Sequence, residues 1–147
     1  MPERADPAII RSLLESQTTG VLATERDRRP YANLIAYSFD PDLRQIYFVT
    51  PCTTAKYGNL SMNPNCSLLV DTRTNDPADF SSAAALSAIG RAVEITGEEK
   101  SARMRAHADR LPGLAAFIDS PAMALFRIEV ESYILVNGLT DISVYHP

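Results

Sequence analysis

One lysine and several hydroxyl side chains share a part of the sequence that contains no carboxylates. Residues 43–70 include no Asp or Glu, although the 147-residue chain has 18 of them. Lys56 lies in this stretch with Thr50, Thr53, Thr54 and Ser61. A cation and hydroxyl donors, with no acid competing for them, are groups that bind a phosphate. The stretch is therefore a candidate anion site.

A short helix is predicted to begin inside this stretch. The residues AKYGNLSMN follow 51–54, so Thr53 or Thr54 would be close to the N-cap. The first N–H groups of a helix are unpaired and carry a partial positive charge, which would add to the attraction for an anion. The simpler alternative is that Thr54 only caps the helix and Lys56 remains in solvent. The residues alone leave both interpretations open.

Catalytic side chains are scarce in the sequence. His107 lies in a charged helical segment and His146 in the C-terminal tail, so both are predicted to be solvated. Cys52 is interpreted as a small loop residue, because no histidine is placed to activate it. No nucleotide-binding, hydrolase or metalloprotease motif occurs. We name no catalytic residue and expect any chemistry to come from a bound cofactor.

Size and composition indicate one globular domain over residues 1–147, with 46% apolar and 22% charged residues. A net charge of -4 argues against a nucleic-acid partner. No apolar run reaches the roughly 20 residues that span a bilayer, and MPERADPAII lacks the apolar core of a signal peptide. Cys52 and Cys66 match neither a disulfide framework nor a zinc site. We expect a cytoplasmic protein with no metal and no membrane partner.

Periodicity and turn residues predict the elements that would position the anion site. Strands are predicted at 18–24, 31–39, 44–50, 66–72, 86–95 and 124–136, and helices at 7–16 and 97–110. The segments 31–39 and 44–50 flank an Asp-Pro turn and should form a hairpin. Gly90 indicates a bulge or a close backbone approach, and Thr96 with Glu99 forms a capping box. Strands joined by tight turns, without regular crossover helices, indicate an antiparallel barrel.

Residues 30–70, PYANLIAYSFDPDLRQIYFVTPCTTAKYGNLSMNPNCSLLV, resemble the pyridoxamine 5′-phosphate oxidase-like family of FMN-binding split β-barrels. The shared pattern is a strand after a proline, a turn, and a second strand ending in aromatic-x-Thr. A loop with hydroxyls and a lysine follows, and then Asn-Pro before another strand. The likeness extends more weakly through AIGRAVEI and the last strand. It implies a mainly β fold with flanking helices, a split antiparallel β-barrel.

The resemblance also implies an FMN site at a homodimer interface. Thr54 and Lys56 would bind the FMN phosphate, while Val49 and Thr50 would end a strand beside the flavin. The stretch that would run along the flavin ring, mainly through its backbone, is Asn33, Leu34, Ile35, Ala36 and Tyr37. Partner residues near Arg91 or in the loop 72–82, predicted as a lid or dimer-spanning segment, would complete each pocket.

Departures from the family pattern shape the expected activity. Ala55 stands where relatives often have a second basic residue before the phosphate lysine, and Phe39 where the vitamin-processing oxidases use a lysine. The chain also has no Trp and ends in SVYHP. The resemblance therefore implies an FMN-dependent oxidoreductase for an unidentified small molecule or electron donor, not the vitamin-processing oxidase itself.

The resemblance leaves other cofactors and roles open. A deazaflavin-dependent reductase would use the same groove with similar phosphate contacts. A non-enzymatic flavin- or haem-binding protein would act as a carrier, a sensor or a relative of haem-degrading proteins. Those haem-degrading relatives carry a histidine where this chain has Lys56.

Overall fold

The computed structural model describes residues 1–118 and 120–147, and most of its elements belong to one sheet. The strands are β1 (Glu3–Arg4), β2 (Thr19–Arg26), β3 (Arg29–Ala36), β4 (Ser38–Phe39), β5 (Gln45–Pro51), β6 (Asn65–Asp71), β7 (Ala84–Ile95), β8 (Met123–Asn137) and β9 (Asp141–Tyr145). The helices are α1 (Pro7–Ser16), α2 (Ala55–Met62), α3 (Asp79–Ser82), α4 (Gly97–Arg110) and α5 (Ala115–Ile118). A 3₁₀ turn, Pro112–Leu114, joins the last two.

The strands pair antiparallel, apart from the short parallel contact between β1 and β9. Their order is β1-β9-β8-β7-β6-β2-β3, and β5 also pairs with β8. The long strand β8 pairs with β5 through residues 123–129 and with β9 through 133–137. Within the described residues no ladder joins β3 to β5, so the sheet does not close. This confirms the predicted mainly β split barrel with flanking helices.

The predicted strand 31–39 is interrupted at Tyr37 and is divided between two neighbours. β3 pairs with β2 as far as Ala36, whereas β4 pairs with β5 through Ser38 and Phe39. The prediction of one continuous strand was therefore wrong, and the hairpin with 44–50 forms only through β4. Because the chain changes partner at Tyr37, the edges of β3 and β5 face each other without pairing.

Tyr37 and Arg110 hold this interruption in place. The Tyr37 side chain is fully buried, and its hydroxyl donates to the Leu14 carbonyl at 2.7 Å and also lies 3.0 Å from the Gln17 carbonyl. Arg110 Nη2 donates to the same two carbonyls, and Arg110 Nε donates to the Tyr37 carbonyl. The guanidinium also lies 5.0 Å from the centre of the Phe39 ring. These contacts attach the end of α4 to the end of α1.

Other local predictions had mixed outcomes. Asp6 caps α1 by accepting from the Ala8 N–H at 2.9 Å, as predicted. Helix α4 begins after Thr96, but the Thr96 side chain makes no capping hydrogen bond, so the predicted capping box was wrong. In the loop 72–82 the Asp79 carboxylate accepts backbone N–H groups from 74–76. The strands β1 and β9 were not predicted.

The interior of the barrel is filled by aliphatic and aromatic side chains. Phe48 and Phe126 stack there with ring centres 5.2 Å apart, and Tyr57 meets Phe126 edge-on. Among the described residues, no helix has the length and apolar character needed to cross a membrane.

Gly90 is expected to be intolerant of a larger side chain, because the β7–β8 register shifts there and a Cβ would overlap the Glu129 carbonyl oxygen. We expect Gly90→Ala to lower the free energy of unfolding by about 1–3 kcal/mol in urea denaturation. Gly58→Ala is the matched control, since a Cβ at this helical position meets only an Arg26 nitrogen at 3.7 Å. The control should instead gain about 0.5–1 kcal/mol. Equal stability of the two variants would contradict the close approach.

Candidate functional site

A cleft of about 150 Å³ lies at the split between β3 and β5. Three consecutive residues of each strand line it, and α2, α4 and the α5 region supply the rest. The lining consists of Leu34, Ile35, Ala36, Val49, Thr50, Pro51, Lys56, His107, Leu114, Phe117 and Ile118. Since the facing strand edges are unpaired within the described chain, backbone N–H and C=O groups are available to a ligand there.

A network of hydroxyl groups shapes the loop between β5 and α2. Thr54 is the N-cap of α2 and accepts a hydrogen bond from the Tyr57 N–H at 3.3 Å. Its hydroxyl donates to the Pro51 carbonyl at 3.0 Å and lies 2.8 Å from the Thr50 hydroxyl. The predicted helix and its cap are therefore confirmed. The Thr54 hydroxyl is already hydrogen-bonded within the loop. Direct contact between Thr54 and a phosphate stays a prediction.

Lys56 is a half-buried cation near the N-terminus of α2, and it lines the cleft. It has no hydrogen-bond or ion-pair partner among the described residues, and desolvation lowers its pKa. The first turn of α2 contains no acid. A lysine here adds to the positive end of the helix dipole, which is unfavourable unless an anion binds. This arrangement supports an anion site more than a lysine simply held in solvent.

His107 is buried in the last turn of α4, so the prediction that it is solvated was wrong. Its side chain is 1% exposed, and Nδ1 lies 2.7 Å from the Ser38 hydroxyl oxygen. Burial, with a smaller effect from the nearby Arg110 charge, lowers the His107 pKa to about 4. The imidazole is therefore neutral near pH 7. His146 is exposed, as predicted.

The sequence held a weak signal for the burial of His107. Met104 and Leu111 lie three and four residues away, so the three positions share one face of the helical segment. Acidic and basic residues dominate the rest of α4 and obscured that face.

The cover of the cleft is apolar and incomplete. Leu114, Phe117 and Ile118 come from the 3₁₀ turn and α5, at one side of the cleft. Ile118 is buried, but Phe117 is 51% exposed, and Leu34 on β3 is 74% exposed. A ligand held between these side chains would leave one side uncovered by this chain.

Four of the predicted site residues, Asn33, Tyr37, Thr54 and Arg91, lie outside the lining of the cleft. Asn33 is exposed on β3, and the Tyr37 side chain points into the core instead of the cleft. Arg91 is exposed on β7, where it lies opposite Asn65 and Glu129. A contact of Arg91 with the site of a partner subunit stays a prediction. Cys52 is exposed and Cys66 is buried.

An open sheet with a cleft at its split defines a split β-barrel protein. The family model for pyridoxamine 5′-phosphate oxidase matches residues 7–137, and the chain belongs to this pyridoxamine 5′-phosphate oxidase-like family. Comparison with proteins of curated function finds no match.

Solved structures with the same fold include proteins described as binding different cofactors. A haem-binding protein from Mycobacterium smegmatis is 20% identical with a TM-score of 0.83, covering 97% of this chain and 59% of its own. A FAD-binding protein from Mesorhizobium loti is 20% identical with a TM-score of 0.72, covering 89% of this chain and 92% of its own. A putative pyridoxamine 5′-phosphate oxidase from Listeria innocua is 21% identical with a TM-score of 0.71, covering 89% and 98%. This chain thus spans little more than half of the haem-binding protein, and these likenesses establish the fold alone.

The burial of neutral His107 is expected to make stability depend on pH. The unfolded imidazole takes up a proton near 6.5 and the folded one near 4, so the unfolded state binds more protons between these values. This contribution is fully present above 6.5 and is lost as the pH falls towards 4. In urea denaturation, the wild type should lose more stability than His107→Gln between pH 7 and pH 5. Parallel losses in the two proteins would contradict the burial of a neutral imidazole.

Proposed function

We propose that this protein is an FMN-binding oxidoreductase acting on a small molecule, with the cofactor in the cleft between β3 and β5. The observation that carries the proposal is the position of Lys56. It is a cation without a partner in the described chain, at the N-terminus of a capped helix, in a cleft whose strand edges are unpaired. A molecule with a phosphate and a flat ring matches both parts of this arrangement.

The side chains of the cleft fit such a cofactor chemically. Leu34, Ile35 and Val49 supply apolar surface for a ring, and the adjoining strand edges supply backbone hydrogen bonds. Lys56 and the free N–H groups of α2 would hold the phosphate. Bound FMN would supply the transfer of electrons between a donor and the small-molecule substrate, and the chain would bind and orient it.

The size of the cleft favours a homodimer. Its volume of about 150 Å³ is below the roughly 300–1,000 Å³ of typical ligand pockets. FMN would therefore extend past exposed Leu34 and Phe117, where a second subunit would cover it.

The outer face of the sheet supports this assembly. A row of neighbours crosses five strands from β3 to β8, formed by Leu34, Val21, Leu69, Ser87 and Ile134. Such a mainly apolar face next to an incomplete site is suited to a second copy of the chain. Arg91 lies on the β7 part of this face, which is consistent with a contribution to the partner's pocket.

Ile89→Glu is expected to give a monomer that binds FMN weakly. Ile89 lies on the outer face of β7 at 36% exposure and does not line the cleft, so the charge would act on the interface alone. Leu139→Glu is the matched control, because Leu139 is 70% exposed in the turn between β8 and β9. Light scattering should show a monomer for the first variant and a dimer for the second. A wild-type monomer that binds FMN tightly would contradict the proposed dimer.

Lys56→Ala is expected to weaken FMN binding by about 10- to 100-fold, the effect of losing a charge-assisted hydrogen bond. Riboflavin has the same ring without the phosphate, so its affinity should change little. Both affinities can be measured by quenching of flavin fluorescence. Arg105→Ala is the control, since it removes an exposed positive charge of α4 that forms no ion pair within the described residues. Unchanged FMN affinity in Lys56→Ala would refute the phosphate site.

The cofactor and the activity need separate tests. The visible spectrum of the purified protein, with mass analysis of the molecule released on denaturation, separates FMN from deazaflavin and from haem. Reduction of the bound flavin by a reduced nicotinamide, followed by reoxidation, would support an oxidoreductase. A flavin that binds and is neither reduced nor reoxidised would instead support a carrier or sensor.

A further inference from the structure

The pair formed by His107 and Ser38 is a polar feature of the cleft that the phosphate site does not use. His107 comes from the last turn of α4 and Ser38 from β4, immediately after the interruption at Tyr37. The contact between Nδ1 and the hydroxyl leaves Nε2 as the free polar atom of the imidazole. Nε2 has no partner in the described chain and is not among the fully enclosed unpaired atoms. Because His107 lines the cleft, Nε2 is the atom through which it can meet a ligand.

Hydrogen-bond satisfaction within the chain favours one of the two neutral tautomers of His107. Nδ1 of His107 is the only acceptor that the Ser38 hydroxyl meets among the described residues. If the hydroxyl donates to Nδ1, its proton is satisfied, and the imidazole proton must be on Nε2. The opposite assignment would leave the hydroxyl proton without an acceptor among the described residues. The first arrangement is therefore favoured, and it presents an N–H donor to the cleft.

Burial keeps this donor neutral, and the position of Arg110 adds to the effect. Arg110 lies one turn after His107 on the same helix, and its guanidinium is held against the carbonyls of Leu14, Gln17 and Tyr37. A second positive charge at His107 would be repelled by this fixed cation in a buried setting. The cleft thus contains two different donors, the charged ammonium of Lys56 and the neutral imidazole N–H of His107.

We propose that His107, oriented by Ser38, is a specificity-determining residue whose Nε2–H donates to an acceptor atom on the ring of the bound cofactor. This inference rests on the proposed flavin site and deepens it. The Nε2–H donor would select ring systems that present a carbonyl oxygen or an unprotonated ring nitrogen. The flavin ring presents both. The proton on Nε2 also excludes His107 as a haem ligand in this tautomer, because iron binds the unprotonated nitrogen of a neutral imidazole.

Nitrogen NMR can test the tautomer directly, because the chain has two histidines and His146→Gln leaves only His107. In this otherwise wild-type protein, a long-range proton–nitrogen spectrum should show the proton on Nε2. Saturation with FMN should shift the Nε2 resonance more than that of Nδ1. A proton on Nδ1, or an Nε2 resonance that FMN leaves unchanged, would overturn the proposal. Hemin coordination that is lost in His107→Phe would overturn it as well.

Substitutions give an independent measurement through riboflavin, which lacks the phosphate. We expect His107→Phe to weaken riboflavin binding about tenfold, the effect of losing one buried hydrogen bond. His107→Gln retains an N–H donor near the same place and should recover part of the loss. Thermal unfolding of the apoproteins shows how much each substitution changes stability. Rescue of riboflavin binding by Gln does not require that Gln restores the wild-type stability. Equal riboflavin affinity in the wild type and His107→Phe would overturn the role of His107.

The outcomes also separate this inference from the proposed function. A wild-type protein that binds no FMN would refute both. FMN binding that depends on Lys56 but not on His107 would refute only the role of His107. Weaker binding of both FMN and riboflavin in His107→Phe, with partial rescue by Gln, would support it.

Discussion

The burial of Tyr37 against the carbonyl end of α1 is the contact on which the cleft depends. Its hydroxyl meets the carbonyls of Leu14 and Gln17 at the point where the chain leaves β2 and joins β5 through Ser38. Arg110 donates to the same carbonyls, which brings the last turn of α4 to the same point. The open strand edges, the helical cover and the location of His107 all follow from this cluster.

Electrostatics give the cleft two distinct parts. Lys56 and the N-terminus of α2 provide positive charge that no described carboxylate neutralises. His107 is kept neutral by burial and by the nearby Arg110. A ligand with an anionic group and an uncharged ring would satisfy both parts. The same arrangement disfavours a cationic ligand, because the described lining of the cleft includes no Asp or Glu side chain.

Local sequence signals succeeded where the physics is local. The alternation of apolar residues located the main strands. Asp6 marked the start of α1 and the pair Thr53 and Thr54 that of α2, because a cap needs only a neighbouring N–H. Gly90 indicated the close approach of β7 to β8, because a glycine in a strand leaves room for a neighbouring backbone. Thr96 shows the limit of such signals, since its side chain makes no cap hydrogen bond although the residue types match. The two-residue strand β1 was too short to give a pattern.

By itself, the sequence determined the class of fold, the acid-free loop and the capped helix that carries Lys56, because each depends on neighbouring residues or on the periodicity of one segment. Only the tertiary structure decided that the strand breaks at Tyr37, that His107 is buried, and that Asn33 and Arg91 lie outside this chain's cleft. Those outcomes depend on contacts between residues far apart in the chain, such as Arg110 with Leu14. Their energies come from burial and from pairing across elements, which no single segment of sequence contains.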